Sequence, residues 1–230
     1  MDWLVPVVGV VVVGLWIWNV IAARIYRTRL ANGYLDFVPV EEAPSHPEEV
    51  RELSAEFGES GYEPLASHIT RNDKLVVLLH DESLGSIGEI VHFIDVPGVD
   101  GFTLEVTSIL EDGRGVLATG NAAMPSIYRV ELRQTFPGAS PSELVKHHGA
   151  AIQFIEEEGL AIRPVSRDDA ELTRQEWFDL QKQLIQTAPT RAVVDWIRDA
   201  RRGYPTSAGP IASNETMRAR LNAILETADS

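Results

Sequence analysis

From Trp3 to Ala23 the chain carries no charged side chain, and this run constrains the fold more than any other feature. At about 1.5 Å of rise per residue, a helix over that stretch reaches across a hydrocarbon layer roughly 30 Å thick. The β-branched run from Val10 to Val13 is mediocre helix material in water. Lipid makes an unpaired backbone amide so costly that a helix is nevertheless the only open choice. A cleavable export signal wants a basic start and a shorter apolar core ending at a small-residue cleavage site. This chain starts with Met1 and Asp2, has no basic residue before the run, and places Arg24, Arg27 and Arg29 directly after it. The positive-inside rule then predicts a retained anchor with a short N-terminus outside and the rest of the chain in the cytoplasm. Trp3, Trp16 and Trp18 suit the headgroup level, and with the three arginines they are the expected membrane-interface residues. Gly9 and Gly14 are too far apart for a GxxxG packing face.

The 230 residues carry a formal charge of -14. Without the anchor about 200 residues are left, enough for one sizeable core. The acidic excess opposes a broad phosphate-binding surface, so no nucleic acid partner is expected. There is no cysteine, which excludes a disulfide framework and thiolate zinc sites. The chain divides into an anchor with its basic juxtamembrane helix (1–31), an acidic, proline-spaced linker (32–46), a cytoplasmic α+β domain (47–205), and a C-terminal loop with a weakly amphipathic helix (206–230).

Ser45 and Glu48 are spaced as a capping box, and Val50, Leu53 and Phe57 then share one face of a short helix. Extended segments follow at Tyr62 to Thr70, Leu75 to His80, Ile87 to Ile94, Phe102 to Leu110, Val116 to Thr119 and Ile127 to Phe136, separated by turn residues such as Gly85 and the Asp112–Gly113 pair. Phe102, Leu104 and Val106 alternate with Thr103, Glu105 and Thr107, and Leu132 and Phe136 alternate with Glu131 and Arg133. That alternation predicts an antiparallel meander of about five or six strands with one wet face. The unbroken LVVLL at Leu75 to Leu79 predicts a central strand covered on both sides. Ser140, Pro141 and Glu143 open a second capping box and a covering helix that stops at Gly159. A longer helical region begins near Asp168, and a last helix, from about Glu215, is too weakly apolar for the pattern to say whether it docks. The fold class expected is therefore α+β: an N-terminal transmembrane helix, then a meander covered by C-terminal helices.

Chemistry is sparse. A GxGxxA match at Gly113, Gly115 and Ala118 leads into strand-like VLATGN rather than into a helix, so a hairpin turn explains it and no cofactor is expected. Walker, GxSxG and HExxH motifs are absent. Histidines are the other material for a site, and His80, His92 and His148 are the candidates because sheet and helix could bring them together as metal ligands. No two of them have the spacing that sets ligands one helical turn apart. The commoner role for each is a hydrogen-bonded core or surface histidine.

The runs LLHDESLGSIGEIVHFI, GVLATGN and FPGASPSELVKHHGAAI resemble a widespread group of uncharacterised bacterial proteins, some with an N-terminal membrane anchor. The resemblance implies a bacterial origin, hence the plasma (inner) membrane, and an α+β domain; it brings no activity and no functional residues. The sequence reading is a single-pass protein held in the bilayer by residues 3–23, with a cytoplasmic interaction or scaffold module that binds a protein partner. A metal-assisted hydrolase using the three histidines and a small-ligand or lipid-headgroup sensor are the alternatives.

Overall fold

The computed structural model describes residues 13–25, 37–39, 47–70, 74–93, 101–111, 113, 115–122, 131–187, 189–191, 193–194 and 209–228. Trp3, Arg27, Arg29 and the GxxxG question at Gly9 lie outside them, as do Ser45 and most of the acidic linker. Helix α1 spans 13–25. Among the described residues no helix is long and apolar enough to cross a membrane.

The α+β class is correct. Seven strands form one sheet in chain order: β1 (Phe37–Pro39), β2 (Glu63–Thr70), β3 (Lys74–Asp81), β4 (Ser86–Phe93), β5 (Phe102–Ile109), β6 (Val116–Gly120) and β7 (Glu131–Thr135). Sequential neighbours pair antiparallel as far as β6, as the turn chemistry predicts. Two strands depart from expectation. Phe37–Pro39, read as part of the linker, adds an edge strand to β2. β7 pairs parallel to β6, with Leu117 opposite Leu132, so the meander ends in a mixed pair. Parallel neighbours cannot be joined by a tight hairpin, and ten residues separate the two strands in the sequence.

The central strand is β3. Every residue from Lys74 to Asp81 is buried, because both faces of the sheet are covered there. On the first face, Leu75, Val77, Leu79, Ile90, Leu104 and Val106 pack against Val50 and Phe57 of α2 (Glu48–Glu59) and Leu144 of α3 (Pro141–Glu157). Helix α3 starts at the capping box the sequence predicts: Ser140 Oγ accepts from the Glu143 amide, and the Ser140 amide donates to Glu143 Oε2 at 3.0 Å. Helix α2 has Pro47 at its N-cap with no side-chain cap bond.

The last helix, α5 (Glu215–Ala228), docks. Met217, Leu221 and Ile224 join Leu117 and Leu132 of the sheet and Ile152 and Ile155 of α3 in one cluster. Gly209 bridges Thr135, the Ile211 amide donates to Gln134 Oε1, and Arg220 donates to the Glu131 carbonyl. These contacts occupy the open edge of β7, whose unpaired backbone groups would otherwise invite another strand.

The second sheet face is the larger correction. Glu105, Thr107, Glu131 and Arg133, expected in water, are buried. Helix α4 (Arg167–Thr187) lies across β2 and β3 on that side, its Ala170 packed with Ile87 of β4 and with Val165. Gly85, at φ +58° in the β3–β4 turn, lets the segment before α4 pass closely. A Cβ there would come within 3.1 Å of Pro164 Cα.

Candidate functional site

The three candidate histidines do not converge. Strand alternation puts His80 on the opposite face of β3 from Leu75 and Leu79, and its Nε2–H donates to the Val165 carbonyl at 2.7 Å, beside α4. His92 pairs with Leu75 and with Phe102, so it lies on the first face at the far end of β4, stacked on the Phe102 ring at 4.7 Å. His148 is fully buried under α3 on that same first face. One ligand is thus separated from the other two by the sheet itself. Among the described residues no group of three or more His, Asp and Glu is placed to hold a metal ion.

His148 is instead the centre of a buried polar network. Its Nε2 meets Ser108 Oγ and its Nδ1 meets Thr119 Oγ1, each at 2.9 Å. Gln134 Nε2 donates to Thr119 Oγ1 at 2.8 Å and to the His147 carbonyl at 2.9 Å, tying β6 and β7 to α3. Burial drives the His148 pKa down to about 3, against a weaker upward pull from Glu105, so the ring is neutral. A Ser–His pair of this kind resembles a nucleophile dyad. Ser108, His148 and Thr119 are all buried, and both ring nitrogens are taken up by hydroxyls, so the network ties α3 to β5 and β6.

The second face holds a chain of charges: Glu131, Arg133, Glu105, Arg174 and Glu89. Arg133 on β7 donates from Nε and Nη2 to Glu131 Oε1, two residues away, at 2.9 and 2.6 Å, and from Nη1 to Glu105 Oε2 on β5 at 2.8 Å. It reaches over β6 where that strand carries Ala118 and Gly120; a Cβ on Gly120 would lie 3.5 Å from Arg133 Nη1. Arg174 of α4 donates to Glu89 from Nε at 2.9 Å and from Nη2, and its Nη2 lies 3.8 Å from Glu105 Oε1. Burial disfavours the Arg133 cation, but the Glu105 and Glu131 carboxylates outweigh that cost and hold its pKa above the usual guanidinium value. Burial pushes Glu105 up, but Arg133 and Arg174 outweigh it and hold its carboxyl below the usual range. Glu89 goes the other way: burial and the Glu105 charge outweigh Arg174. Three carboxylates share two guanidinium groups, and the partner with the weakest compensation resists ionisation.

Arg174 also lines a cleft of about 390 Å³ between β2, β3 and α4, together with His68, Leu78, Asp168, Glu171, Leu172, Gln175 and Phe178. Its guanidinium sits 3.9 Å from the centre of the Phe178 ring. With Nε and Nη2 committed to Glu89, its buried Nη1 has no acceptor. Glu171 Oε1 lies 3.2 Å from His68 Nε2, and burial lowers the His68 pKa more than Glu171 raises it. The imidazole is therefore neutral at pH 7 and leaves the Glu171 charge uncompensated. The Asp168 side chain makes no hydrogen bond or ion pair among the described residues.

The sequence reading missed this cleft and the charge chain. Acidic residues at the start of α4 satisfy the helix dipole and carry no site signal of their own. The alternation of Glu131 and Arg133 is the same whether those residues face water or one another. Comparisons of the chain with protein-family models, with curated proteins and with solved structures return no match.

Proposed function

We propose that this is a single-pass membrane protein whose α+β domain works in the cytoplasm as an interaction module, held at a bacterial plasma membrane by residues 3–23. The observation that carries the reading is the surface of α1. Val13, Leu15, Trp16, Ile17, Trp18, Ile21 and Ile25 are exposed, Trp16 and Trp18 by 67% each. Four consecutive exposed apolar residues, 15–18, leave no polar side on that part of the helix. A helix apolar on all sides is stable in lipid or inside a partner, not in water. Its arginine flank and the uncharged residues before it favour lipid. Ala23, at its far end, is buried against Val193, which supports a tether held close to the domain.

The tethering role rather than an enzymatic one is favoured by the separation of His80 from His92 and His148, and by the closed packing around Ser108 and His148. The experiment is fractionation of the full chain expressed in bacteria. It is expected to stay in the membrane pellet through alkaline carbonate extraction, while a chain lacking residues 1–31 is expected in the soluble fraction, folded. Release of the full chain by carbonate would overturn the anchor, and aggregation of the shortened chain would show that α1 completes the domain.

A further inference from the structure

The cleft beside α4 names the chemistry of a partner. Its floor and walls offer Leu78, Leu172 and Phe178, and its mouth carries Asp168 and Glu171. Among the described residues neither carboxylate is paired with a cationic side chain: the Asp168 side chain has no bonded partner, Glu171 meets a neutral imidazole, and Arg174 is spent on Glu89 and Glu105. The remaining polar group is a donor, the buried Nη1 of Arg174, without an acceptor. Leaving such a group unmet is costly, so a ligand that brings a carbonyl oxygen recovers that cost.

The surface continues along the helix. Asp168, Leu172, Gln175 and Asp179 recur at helical spacing and are all exposed, with Glu176 and Leu180 beside them. Outside α1, Leu172 and Leu180 are the large exposed apolar side chains of the described residues, Leu172 by 61%. An acidic stripe with apolar points, running three turns past an indented cleft, matches something elongated.

Building on the interaction-module reading, we propose that the cleft and the exposed stripe of α4 bind a basic amphipathic segment of a partner protein. Its lysine or arginine side chains meet Asp168 and Glu171, an apolar side chain enters between Leu172 and Phe178, and a backbone carbonyl accepts from Arg174 Nη1. A free polyamine satisfies the carboxylates but has no acceptor for Arg174. An anionic lipid headgroup satisfies Arg174 but meets two carboxylates of its own sign.

The test uses the full chain in nanodiscs of phosphatidylcholine, whose zwitterionic surface does not itself attract cationic peptides, with empty discs as the control. The probes are a fluorescent lysine/leucine amphipathic peptide, its glutamate/leucine counterpart, and spermine. The basic peptide is expected to bind, to weaken with added salt, and to lose about tenfold in affinity in Asp168→Asn/Glu171→Gln and again in Leu172→Ser, exposed positions that leave the buried charge chain intact. Equal binding of the two peptides, unchanged affinity in the carboxamide variant, or displacement by equimolar spermine would each overturn the proposal. Failure of the chain to enter the discs would count against the tether instead, and the same titration in detergent micelles then decides the cleft.

Discussion

His148 is neutral in the fold because Ser108, Thr119 and α3 enclose it, and that neutrality has a cost in acid. Its folded pKa, about 3, lies below the 6.5 of a free imidazole. Between those values the unfolded chain takes up a proton that the folded chain refuses, so stability falls as pH is lowered through that window. The slope is about 1.4 kcal/mol per pH unit for one proton. Urea unfolding of His148→Gln at pH 7 and pH 4 is expected to show a pH dependence shallower than that of the parent by about one proton; equal slopes would mean the imidazole is protonated where it lies. Arg133 makes the opposite kind of test. Arg133→Met removes the cation between two buried carboxylates and is expected to cost about 3–5 kcal/mol at pH 7, because an uncompensated buried charge is left behind. Without Arg133, burial favours the protonated form of Glu105, and taking up that proton relieves the cost, so the difference from the parent is expected to shrink toward pH 4. A loss that is small at pH 7, or unchanged in acid, would contradict a charge chain sealed from water.

At the scale of elements, local signals were legible and compensated ones were not. The Leu75–Leu79 run announced β3, the Ser140 box announced α3, and Gly113, at φ +67°, makes the turn between β5 and β6 that the Asp-Gly pair predicts. Each signal is contained in a few neighbouring residues. The charge chain joins four elements and becomes apolar in effect only when they meet, so alternation alone assigns it to water. The β6–β7 pair reads as antiparallel for a related reason: strand patterning reports which face is buried and not which way the chain runs. Helix α5 shows the same limit, since a stripe of Met217, Leu221 and Ile224 looks thin until Leu132 and Ile155 lie opposite it. Its docking predicts that Leu221→Ala costs about 2–5 kcal/mol in denaturant unfolding, the range for a truncated core leucine. A loss below about 0.5 kcal/mol, typical of a surface site, would mean α5 is an appendage.

Over the whole molecule, one sheet separates two kinds of interior. The α2, α3 and α5 side is apolar around the His148 network, and the α4 side combines the charge chain with a cleft that opens outward. The large apolar side chains left exposed among the described residues fall on α1 and α4, the two elements for which a bilayer and a partner are proposed. The proposed orientation of the chain at a membrane is directly measurable, because the sequence holds no native cysteine. Asp2→Cys and Glu157→Cys, each as the sole thiol, are to be challenged with a membrane-impermeant maleimide in intact spheroplasts and again after lysis. Asp2→Cys is expected to react in intact spheroplasts and Glu157→Cys only after lysis, with the pattern disturbed or inverted by Arg24→Glu, Arg27→Glu and Arg29→Glu together. Labelling of Glu157→Cys in intact spheroplasts, or protection of both sites in a carbonate-soluble protein, would contradict it.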